Sequence, residues 1–510
     1  MDGNLLGLDI GTTGVKAVLI DVSGKTAATA THEYPLHTPL PNWAEQDPVD
    51  WWKATMAATK HVIEKSGVRA ESILAVGLSG QMHSLVPLDG ERNVIRPAIL
   101  WCDTRTDLEC QQITEDVGRD RLRSLVSNPA LEGFTLPKIL WMRNHEPDLY
   151  KRIATVVLPK DYIRFRLTDE IAMDVSDASG TLMFDVEHRR WSDELLSEVH
   201  VPREWLPPVV ESVDVCGTVT REAASATGLR PGTPVVGGGA DNTCGAVGTG
   251  VVREGLVLAS IGTSGVVFAH SDRVRVEKEM RAHTFCHSVP HAWYVMGVIL
   301  MAGGAFRWYR DVFCAEESAK ASGSGADVYD LLTAEAEMVD PGSEGLFFLP
   351  HLIGERTPHQ SASARGAFVG ATIRHLKPHF TRAVIEGITF AMRDSLEIVR
   401  GLGIEIREVR LTGGGARSPF WRSLQADVYG CEVTTVNTTE GPAFGAALLA
   451  GVGAQVYSDP VDAVGRTVSI SEHIAPDPQR VERYEESYAL YRRLYPSLRD
   501  AFTHIHSTYH

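Results

Sequence analysis

The 510-residue sequence predicts an α/β fold made of two related halves, and a repeated turn is the first observation behind this prediction. The hexapeptide IGTTGV at residues 10–15 recurs as IGTSGV at residues 261–266. Each copy lies between apolar runs, which is typical of a strand, a tight glycine turn and a returning strand. One such turn is common in ordinary hairpins, but a repeat about 250 residues apart indicates a duplicated architecture.

The second observation is the alternation of predicted strands and helices, which favours parallel strands with ligands at their carboxyl ends. The glycines of the two repeated turns are expected to adopt positive φ and to let a ligand approach backbone N–H groups. Two such turns facing each other across a cleft would clamp a polyphosphate.

Start and stop signals place the next elements of the first half. Asp47 is the expected N-cap of a helix in which Pro48 takes the first position. Apolar runs predict strands over residues 73–78 and 98–101, and each strand ends in a polar loop. A third polar loop, GGGADN at residues 237–242, precedes the second repeated turn.

In the second half, the glycine- and serine-rich residues 321–326 are predicted to form a surface loop. Residues 409–418 predict a strand, a glycine turn and then a helix, an order that points backbone donors at an anion. A small-residue helix is expected to begin near Glu440. Residues 479–499 predict a terminal amphipathic helix with Tyr484, Tyr488, Leu490, Tyr491 and Leu494 on its packing face.

Composition excludes several functional classes. A formal net charge of −16 argues against a nucleic-acid or membrane partner held by a broad basic surface. No apolar run reaches the length of a membrane span, and the first residues lack a secretory signal pattern, so we expect a cytoplasmic protein. Seven cysteines without a C-x-x-C pair predict reduced thiols and no zinc site.

Two segments resemble the signatures of the FGGY carbohydrate kinase family. The first is GFTLPKILW at residues 133–141. The second begins with GAFVG at residues 366–370 and leads to AVIEG at residues 383–387. Ala371 stands where a larger aliphatic residue is usual in the family, which is a mild departure.

The resemblance extends from Leu5 to about Gly451. It implies two duplicated actin- and heat-shock-ATPase-like (ribonuclease H-like) domains that flank a catalytic cleft. We expect an N-terminal, sugar-binding domain over residues 1–244, a C-terminal, nucleotide-binding domain over residues 245–455, and a helical extension with a tail over residues 456–510.

The resemblance also implies ATP-dependent phosphorylation of a sugar. Four segments are most similar to members that phosphorylate the ketopentose D-xylulose: GQMH at residues 80–83, WCDTR at residues 101–105, LPKDY at residues 158–162 and GERTPH at residues 354–359. Ser84 and Cys102 depart from the usual residues, so another pentulose or polyol kinase of the family stays an alternative. A non-catalytic sugar sensor with the same fold is the alternative from another class.

Phosphoryl transfer from ATP needs a held γ-phosphate, a Mg²⁺ ion and a base for the attacking hydroxyl. Asp241 follows three glycines at a predicted strand end, and the family's catalytic aspartate falls on this position; the alternative is that it caps the helix near Asn242. Asp9 resembles the family's magnesium-associated carboxylate, which acts through water, and the alternative is a turn aspartate.

The remaining expected contacts divide between nucleotide and sugar. Amide and hydroxyl donors to the phosphates are expected from Thr12, Thr13, Gly262 and Thr263, and the adenosine-side loop from Gly413, Gly414 and Gly415. Met82 and His83 match the family's sugar-contacting pair, and Asp103 and Asn242 are expected to hydrogen-bond sugar hydroxyls. The expected ligands are ATP, Mg²⁺ and a small sugar, and family habit leads us to expect a homodimer.

Overall fold

Two seven-stranded sheets, one in each half of the chain, organise the computed structural model. The structure describes residues 3–509; Met1, Asp2 and His510, which fall within the predicted domain limits, lie outside the described residues.

The strands of the first half are β1 (Asn4–Ile10), β2 (Gly14–Asp21), β3 (Thr26–Glu33), β4 (Glu45–Gln46), β5 (Ile73–Gly80), β6 (Val86–Leu88), β7 (Ala98–Ile99), β8 (Thr155–Val157), β9 (Met173–Asp174), β10 (Phe184–Asp185), β11 (Arg190–Trp191), β12 (Val209–Val210), β13 (Val215–Thr218), β14 (Pro234–Val236) and β15 (Gly239–Ala240). Its helices are α1 (Pro48–Ser66), α2 (Asp107–Val117), α3 (Arg119–Val126), α4 (Thr135–His145), α5 (Pro147–Tyr150), α6 (Pro159–Thr168), α7 (Val175–Ser179), α8 (Asp193–Val199), α9 (Arg221–Thr227) and α10 (Asp241–Gly248).

The strands of the second half are β16 (Leu256–Ile261), β17 (Gly265–Ser271), β18 (His283–Cys286), β19 (Trp293–Ile299), β20 (Phe347–Leu349), β21 (Ala367–Val369), β22 (Glu408–Gly413), β23 (Glu432–Val436) and β24 (Ile470–Ile474). Its helices are α11 (Gly303–Phe313), α12 (Ala315–Ser324), α13 (Val328–Glu337), α14 (Lys377–Gly401), α15 (Pro419–Tyr429), α16 (Pro442–Gly453), α17 (Pro460–Thr467) and α18 (Pro478–Tyr509). Short 3₁₀ turns lie at Ala70–Ser72, Arg203–Trp205, Ser343–Gly345 and Gly414–Ala416.

Both sheets repeat one pattern around a central strand. The first sheet runs β13-β14-β5-β1-β2-β3, with β15 beside β5, and the second runs β18-β19-β17-β16-β22-β23-β24. Strand β1 pairs antiparallel with β2 and parallel with β5, and β16 pairs antiparallel with β17 and parallel with β22. The predicted duplicated α/β architecture is confirmed.

The central strand β1 is buried on both faces. Leu6 and Leu8 pack in the cluster that holds Trp51 of α1, whereas Leu5 packs in the cluster that holds Phe444 of α16. Burial on both faces explains why the strand reads as a nearly continuous apolar run.

Helix α1 begins as the sequence predicts. Asp47 is the N-cap, and its Oδ1 accepts a hydrogen bond from the backbone N–H of Val49 at 2.9 Å. Pro48 takes the first helical position, where its missing N–H costs nothing. Gly67 ends the helix with φ of 67°.

Three predictions of local structure are wrong in part. In the predicted strand over residues 98–101, only Ala98 and Ile99 form a strand, and this strand pairs with the short β4 outside the main sheet. Residues 321–324 belong to α12, because the buried Ala321 anchors them as helix, and the chain turns only at Gly325. In α18 the predicted tyrosines are buried, but Leu490 is 51% exposed.

The halves meet through glycines. A Cβ at Gly7 of β1 or at Gly77 of β5 would overlap backbone carbonyl oxygens of α16, and a Cβ at Gly445 of α16 would overlap the carbonyl oxygen of Cys244 in α10. The backbone of α16, an element of the second half, therefore lies directly on the first sheet and on α10.

The predicted domain limits stay predictions. The limit after residue 244 falls inside α10, and β24 of the predicted extension pairs with β23 in the second sheet. Among the helices described within residues 3–509, none is long and apolar enough to cross a membrane.

Candidate functional site

Asp241 and Asn242 stand where two cavities between the halves meet. The smaller cavity, about 220 Å³, is lined by Met82 and His83 of the first half and by Arg356 of the second. The larger, about 660 Å³, is lined by the loop after β22 and by the start of α16. Both cavities are bordered by Asp241 and Asn242, so a group bound in one can face a group bound in the other at these residues.

A third cavity of about 410 Å³ lies within the second half. Gly262 and Thr263 line it on one side, and Gly414 and Gly415 on another, with the apolar side chains of Phe306 and Trp421 in its wall. Gly414 also borders the 660 Å³ cavity, so the loop after β22 connects the two spaces.

The position of Asp241 follows from the first sheet. Strand β15 pairs parallel with β5, and Asp241 is the next residue, the first of α10. Its Oδ1 accepts hydrogen bonds from the backbone N of Asn242 at 2.7 Å and from Asn242 Nδ2 at 2.9 Å. Ala240 occupies the N-cap position, so the geometry does not favour the alternative of a capping aspartate.

A buried polar group supports this junction. The backbone N of Ala240 donates to Ser176 Oγ at 2.9 Å, and that hydroxyl donates to Asp174 at 2.5 Å. Lys160, which belongs to the LPKDY segment, contacts Asp174 at 2.9 Å and is fully buried. The segment after β8 therefore fixes the backbone from which Asp241 projects.

Burial raises the pKa of Asp241 to about 7, and the negative charge of Asp9 adds to the effect. The carboxylate can therefore exchange a proton near neutral pH, which is the property that a general base needs.

Asp9 lies at the same sheet edge. It is paired across β1 and β5 with Ser79, whose hydroxyl donates to Asp9 Oδ1 at 2.9 Å. Burial also raises the pKa of Asp9. Its recorded hydrogen bond comes from a neighbouring strand, so Asp9 does not have the local bonding of a turn aspartate.

His83 and Met82, which the sequence predicts as a sugar-contacting pair, both line the smaller cavity. His83 Nδ1 donates to the carbonyl oxygen of Gly180 at 2.5 Å, because that oxygen can only accept. Burial lowers the pKa of His83 to about 3, so the ring is neutral and its Nε2 is an acceptor. Asn242 Nδ2 lies 3.6 Å from Met82 Sδ, so Met82 contacts the residue that follows Asp241.

The structure does not bring Asp103 to the cavity. Its carboxylate is fully buried and accepts from the backbone N of Ala44 at 2.6 Å and from Arg105 Nη2 at 2.6 Å. The guanidinium of Arg105 lies 3.5 Å from the ring centroid of Trp43. In this structure the carboxylate binds Arg105 and the backbone of Ala44, and Asp103 is absent from the residues that line the 220 Å³ cavity, so its predicted contact with sugar stays a prediction.

The first repeated turn borders the site through a tryptophan. Thr12 Oγ1 accepts a hydrogen bond from Trp101 Nε1 at 2.9 Å, and Trp101 lines the 220 Å³ cavity. Thr13 is exposed at the tip of the turn. Neither threonine is among the residues that line the three cavities.

The expected positive φ of the turn glycines is wrong: Gly11, Gly14, Gly262 and Gly265 all lie outside that region. A Cβ at Gly262 would meet only Ser264 O, at 3.7 Å, so this position has open space for a ligand. Thr263 Oγ1 accepts from Arg307 Nη2 of α11 at 2.7 Å.

The loop after β22 does require glycine. Gly413 has φ of 77°, and a Cβ there would overlap the carbonyl oxygen of Ile261. Gly415 packs on the Ile261 side chain and faces the 410 Å³ cavity, whereas Gly413 faces the 660 Å³ cavity.

Sequence reasoning left several residues of the smaller cavity unassigned, and Phe134, Arg356 and His283 are among them. Phe134 lies in the first family signature and Arg356 in the GERTPH segment. Both motifs are recognisable in the sequence, but neither motif indicates that these two side chains line the cavity. His283 comes from β18 and carries no local signal, because only the tertiary fold brings it beside His83 and Phe134.

Comparisons with known proteins agree with this geometry. Residues 4–248 match the N-terminal domain and residues 257–454 the C-terminal domain of the FGGY family of carbohydrate kinases. The fold and cleft are those of a sugar kinase, which uses ATP as a substrate. The chain belongs to the FGGY family of carbohydrate kinases.

Individual relatives are similar over nearly their whole length. A xylulose kinase from Bacillus subtilis (strain 168) is 38% identical over 99% of both chains, and one from Escherichia coli (strain K12) is 38% identical over 97% of this chain and 99% of its own. A crystal structure described as a xyloylose kinase from Brucella ovis shares 37% identity, with a TM-score of 0.89 over 98% of this chain and 100% of that one.

Proposed function

We propose that the protein transfers the γ-phosphoryl group of ATP to D-xylulose, giving D-xylulose 5-phosphate, with Asp241 as the general base. The observation that carries the proposal is the meeting of two cavities at Asp241. A base at this point faces a hydroxyl bound on one side and a phosphate bound on the other.

The smaller cavity suits a pentulose. Its volume is about 220 Å³, and its polar groups include the neutral imidazole of His83 and the amide of Asn242. Buried polar groups matched to hydroxyls reject analogues that lack those hydroxyls. The near full-length similarity to proteins named xylulose kinase supports D-xylulose in particular.

The nucleotide is proposed to extend from the second half toward Asp241. The aromatic walls of the 410 Å³ cavity, Phe306 and Trp421, suit a purine base. Gly262 and Thr263 offer an open turn, and Gly414 leads from this cavity into the space that borders Asp241. The proposed phosphate contacts follow that path, and Thr12 and Thr13 would complete them from the opposite half.

In the transfer, Asp241 accepts the proton of the sugar's terminal hydroxyl while the hydroxyl oxygen attacks the γ-phosphorus of ATP. The bond between the γ-phosphorus and the β,γ-bridging oxygen breaks, and ADP leaves with its electron pair. The two hydrogen bonds from Asn242 orient the accepting carboxylate. With its pKa raised to about 7, the Asp241 carboxyl can take up and release a proton near neutral pH.

The residues present fit a Mg²⁺ site of the kind that uses few protein ligands. Magnesium retains several waters and takes one or two carboxylates together with phosphate oxygens. Asp9, whose carboxylate accepts a hydrogen bond from Ser79 and whose charge acts on Asp241, would hold the ion through water. When bound, Mg²⁺ offsets the negative charge of the phosphates.

Turnover with a panel of sugars tests the proposal. Wild-type protein should phosphorylate D-xylulose with a higher kcat/KM than other pentuloses, polyols and gluconate. Asp241→Asn should lower kcat by about 10²- to 10⁴-fold while the KM for ATP changes little, because the amide preserves shape but cannot accept the proton. Asp21→Asn, a carboxylate at the far end of β2, is the matched control.

A preference for another sugar would make the alternative family activity correct. Turnover of Asp241→Asn within a few-fold of wild type would remove Asp241 as the base, and no turnover of any sugar by wild type would favour the sugar sensor. The expected homodimer and cytoplasmic location stay predictions, and light scattering of the purified protein would test the first.

A further inference from the structure

Arg356 lines the smaller cavity from the loop between β20 and β21, and its guanidinium has no partner among the residues that the structure describes. Within residues 3–509, the hydrogen bonds of Arg356 involve its backbone: its N–H donates to Glu355 Oε1 at 2.8 Å, and its carbonyl oxygen accepts from the N–H of Gln360 at 2.7 Å. No ion pair or hydrogen bond reaches its guanidinium in that part of the chain. Glu132 and Glu355 attract the charge only from a distance, and burial lowers the pKa of Arg356.

Arg356 is half-buried, so its unpaired guanidinium loses part of its hydration and gains no partner in return, which is costly. Two buried arginine side chains of this chain are paired: Arg382 with Glu386 at 2.7 Å, and Arg105 with Asp103 at 2.6 Å. The contrast indicates that the partner of Arg356 is a ligand in the cavity that it lines.

Two neutral histidines, His83 and His283, line the same cavity as Arg356 and can accept hydrogen bonds from a ligand there. His283 Nδ1 lies 3.3 Å from Asn128 Oδ1, which also accepts from the backbone N of Thr284 at 3.2 Å. The proton is therefore on His283 Nδ1, as it is on His83 Nδ1, and each Nε2 is an acceptor. Burial and the charge of Arg356 lower the pKa of both rings.

We infer that Arg356 binds the oxygen atoms at the end of the sugar remote from the reacting hydroxyl, opposite His83 and His283. The inference rests on the proposed function. A hydroxyketone end, HO–CH₂–C(=O)–, matches both kinds of group: its hydroxyl donates to an imidazole Nε2, and its carbonyl oxygen accepts from the guanidinium. A carboxylate in place of this group accepts from Arg356, but its own oxygen atoms cannot donate to the rings.

Substitution of Arg356 tests the inference by steady-state kinetics. Arg356→Met should lower kcat/KM for D-xylulose by about 10- to 100-fold, mainly through KM, while the KM for ATP stays within about twofold. Arg356→Lys should recover part of the loss, because lysine keeps the charge but not the planar fork. Arg374→Met, at an arginine whose side chain is 79% exposed, is the matched control and should behave as wild type.

Three results would overturn the inference: a sugar KM within twofold of wild type in Arg356→Met, a larger rise in the KM for ATP, which would place Arg356 on the phosphates, or a full effect in Arg374→Met. Thermal melting verifies that each variant is folded. If Arg356→Met does not fold, the sugar KM of Arg356→Lys alone tests the inference. If wild type prefers another sugar, the proposed function fails there, and the same comparison with that sugar still tests Arg356.

Discussion

Asp241 and Asp9 share one edge of the first sheet, and their pKa values are linked. Partial burial raises the pKa of both carboxyl groups, and the charge of Asp9 adds to the raised pKa of Asp241. A base must be ionised to act, so activity is gained as pH rises through the pKa of Asp241 and lost as pH falls below it.

The kcat/KM of the wild type for sugar should therefore fall on the acid side with a midpoint near 7. Asp9→Asn should move this midpoint to lower pH, because it removes a like charge, although burial keeps it above the ordinary value for an aspartate. The readout is the midpoint in a pH profile, since the rate itself will also fall with loss of the proposed magnesium ligand. A wild-type midpoint near 4, or a shift upward in Asp9→Asn, would contradict this coupling.

The residues of the site were predictable only where a motif carries them. The GQMH and GGGADN segments each follow a strand, and Met82, His83 and Asp241 do border one site. Asp103 also follows a short strand, but its carboxylate turns inward to Arg105, two residues further on, and no local pattern reveals that choice. Arg356 comes from the other half, so only the tertiary fold places it near His83.

At the scale of elements, the two repeated turns illustrate how one glycine pattern serves two purposes. Gly262 faces open space, whereas a Cβ at Gly265 would overlap Met392 Sδ and approach Ala302 Cβ to 3.1 Å. Within one hairpin, the first glycine leaves room for a ligand and the second permits close packing of the strand.

Valine at each of these positions should separate binding from stability. Gly262→Val should leave the melting temperature close to that of wild type and raise the KM for ATP at least about tenfold, because the side chain occupies the approach to the backbone. Gly265→Val should instead lower the melting temperature, since overpacking costs about 1–3 kcal/mol. A Gly262→Val variant with an unchanged KM for ATP would remove this turn from the nucleotide site.

Local chemistry predicted most elements near caps and glycine turns. Asp47 with Pro48 marks the start of α1, and the glycines after β22 mark the turn into α15. Residues 321–324 are helical although they are rich in glycine and serine, because Ala321 is buried in the last turn of α12, and composition alone does not reveal that burial.

At the scale of the whole molecule, the proposed sugar cavity is bounded by both halves. His83 and Phe134 come from the first half, and His283 and Arg356 come from the second. A sugar in this cavity contacts both halves, so its binding stabilises arrangements in which they lie close together, which favours closure.

Small-angle scattering should detect the closure. Addition of D-xylulose and a non-hydrolysable ATP analogue should reduce the radius of gyration at unchanged oligomeric state, and closure would keep water from the γ-phosphate. Gly262→Val should blunt the change. An unchanged radius at saturating concentrations of both ligands would mean that the two halves form a rigid body.

The repeat at residues 10–15 and 261–266 sufficed to predict the duplication, since each copy forms the same hairpin in its own sheet. It could not predict that α16 lies on the first sheet. That contact joins residues more than 350 positions apart in the chain, such as Gly77 and Ala446, and depends on backbone surfaces without side chains.

The placement of α16 sets a timing problem during synthesis. The first sheet is complete at Ala240, yet the helix that covers the face bearing Leu5 begins only at Pro442, about 200 residues later. At translation rates of about 5–20 residues per second, synthesis of the intervening residues takes roughly 10–40 s, and α16 cannot pack on this face before then. Through that interval the nascent chain carries an apolar surface that the finished enzyme never shows.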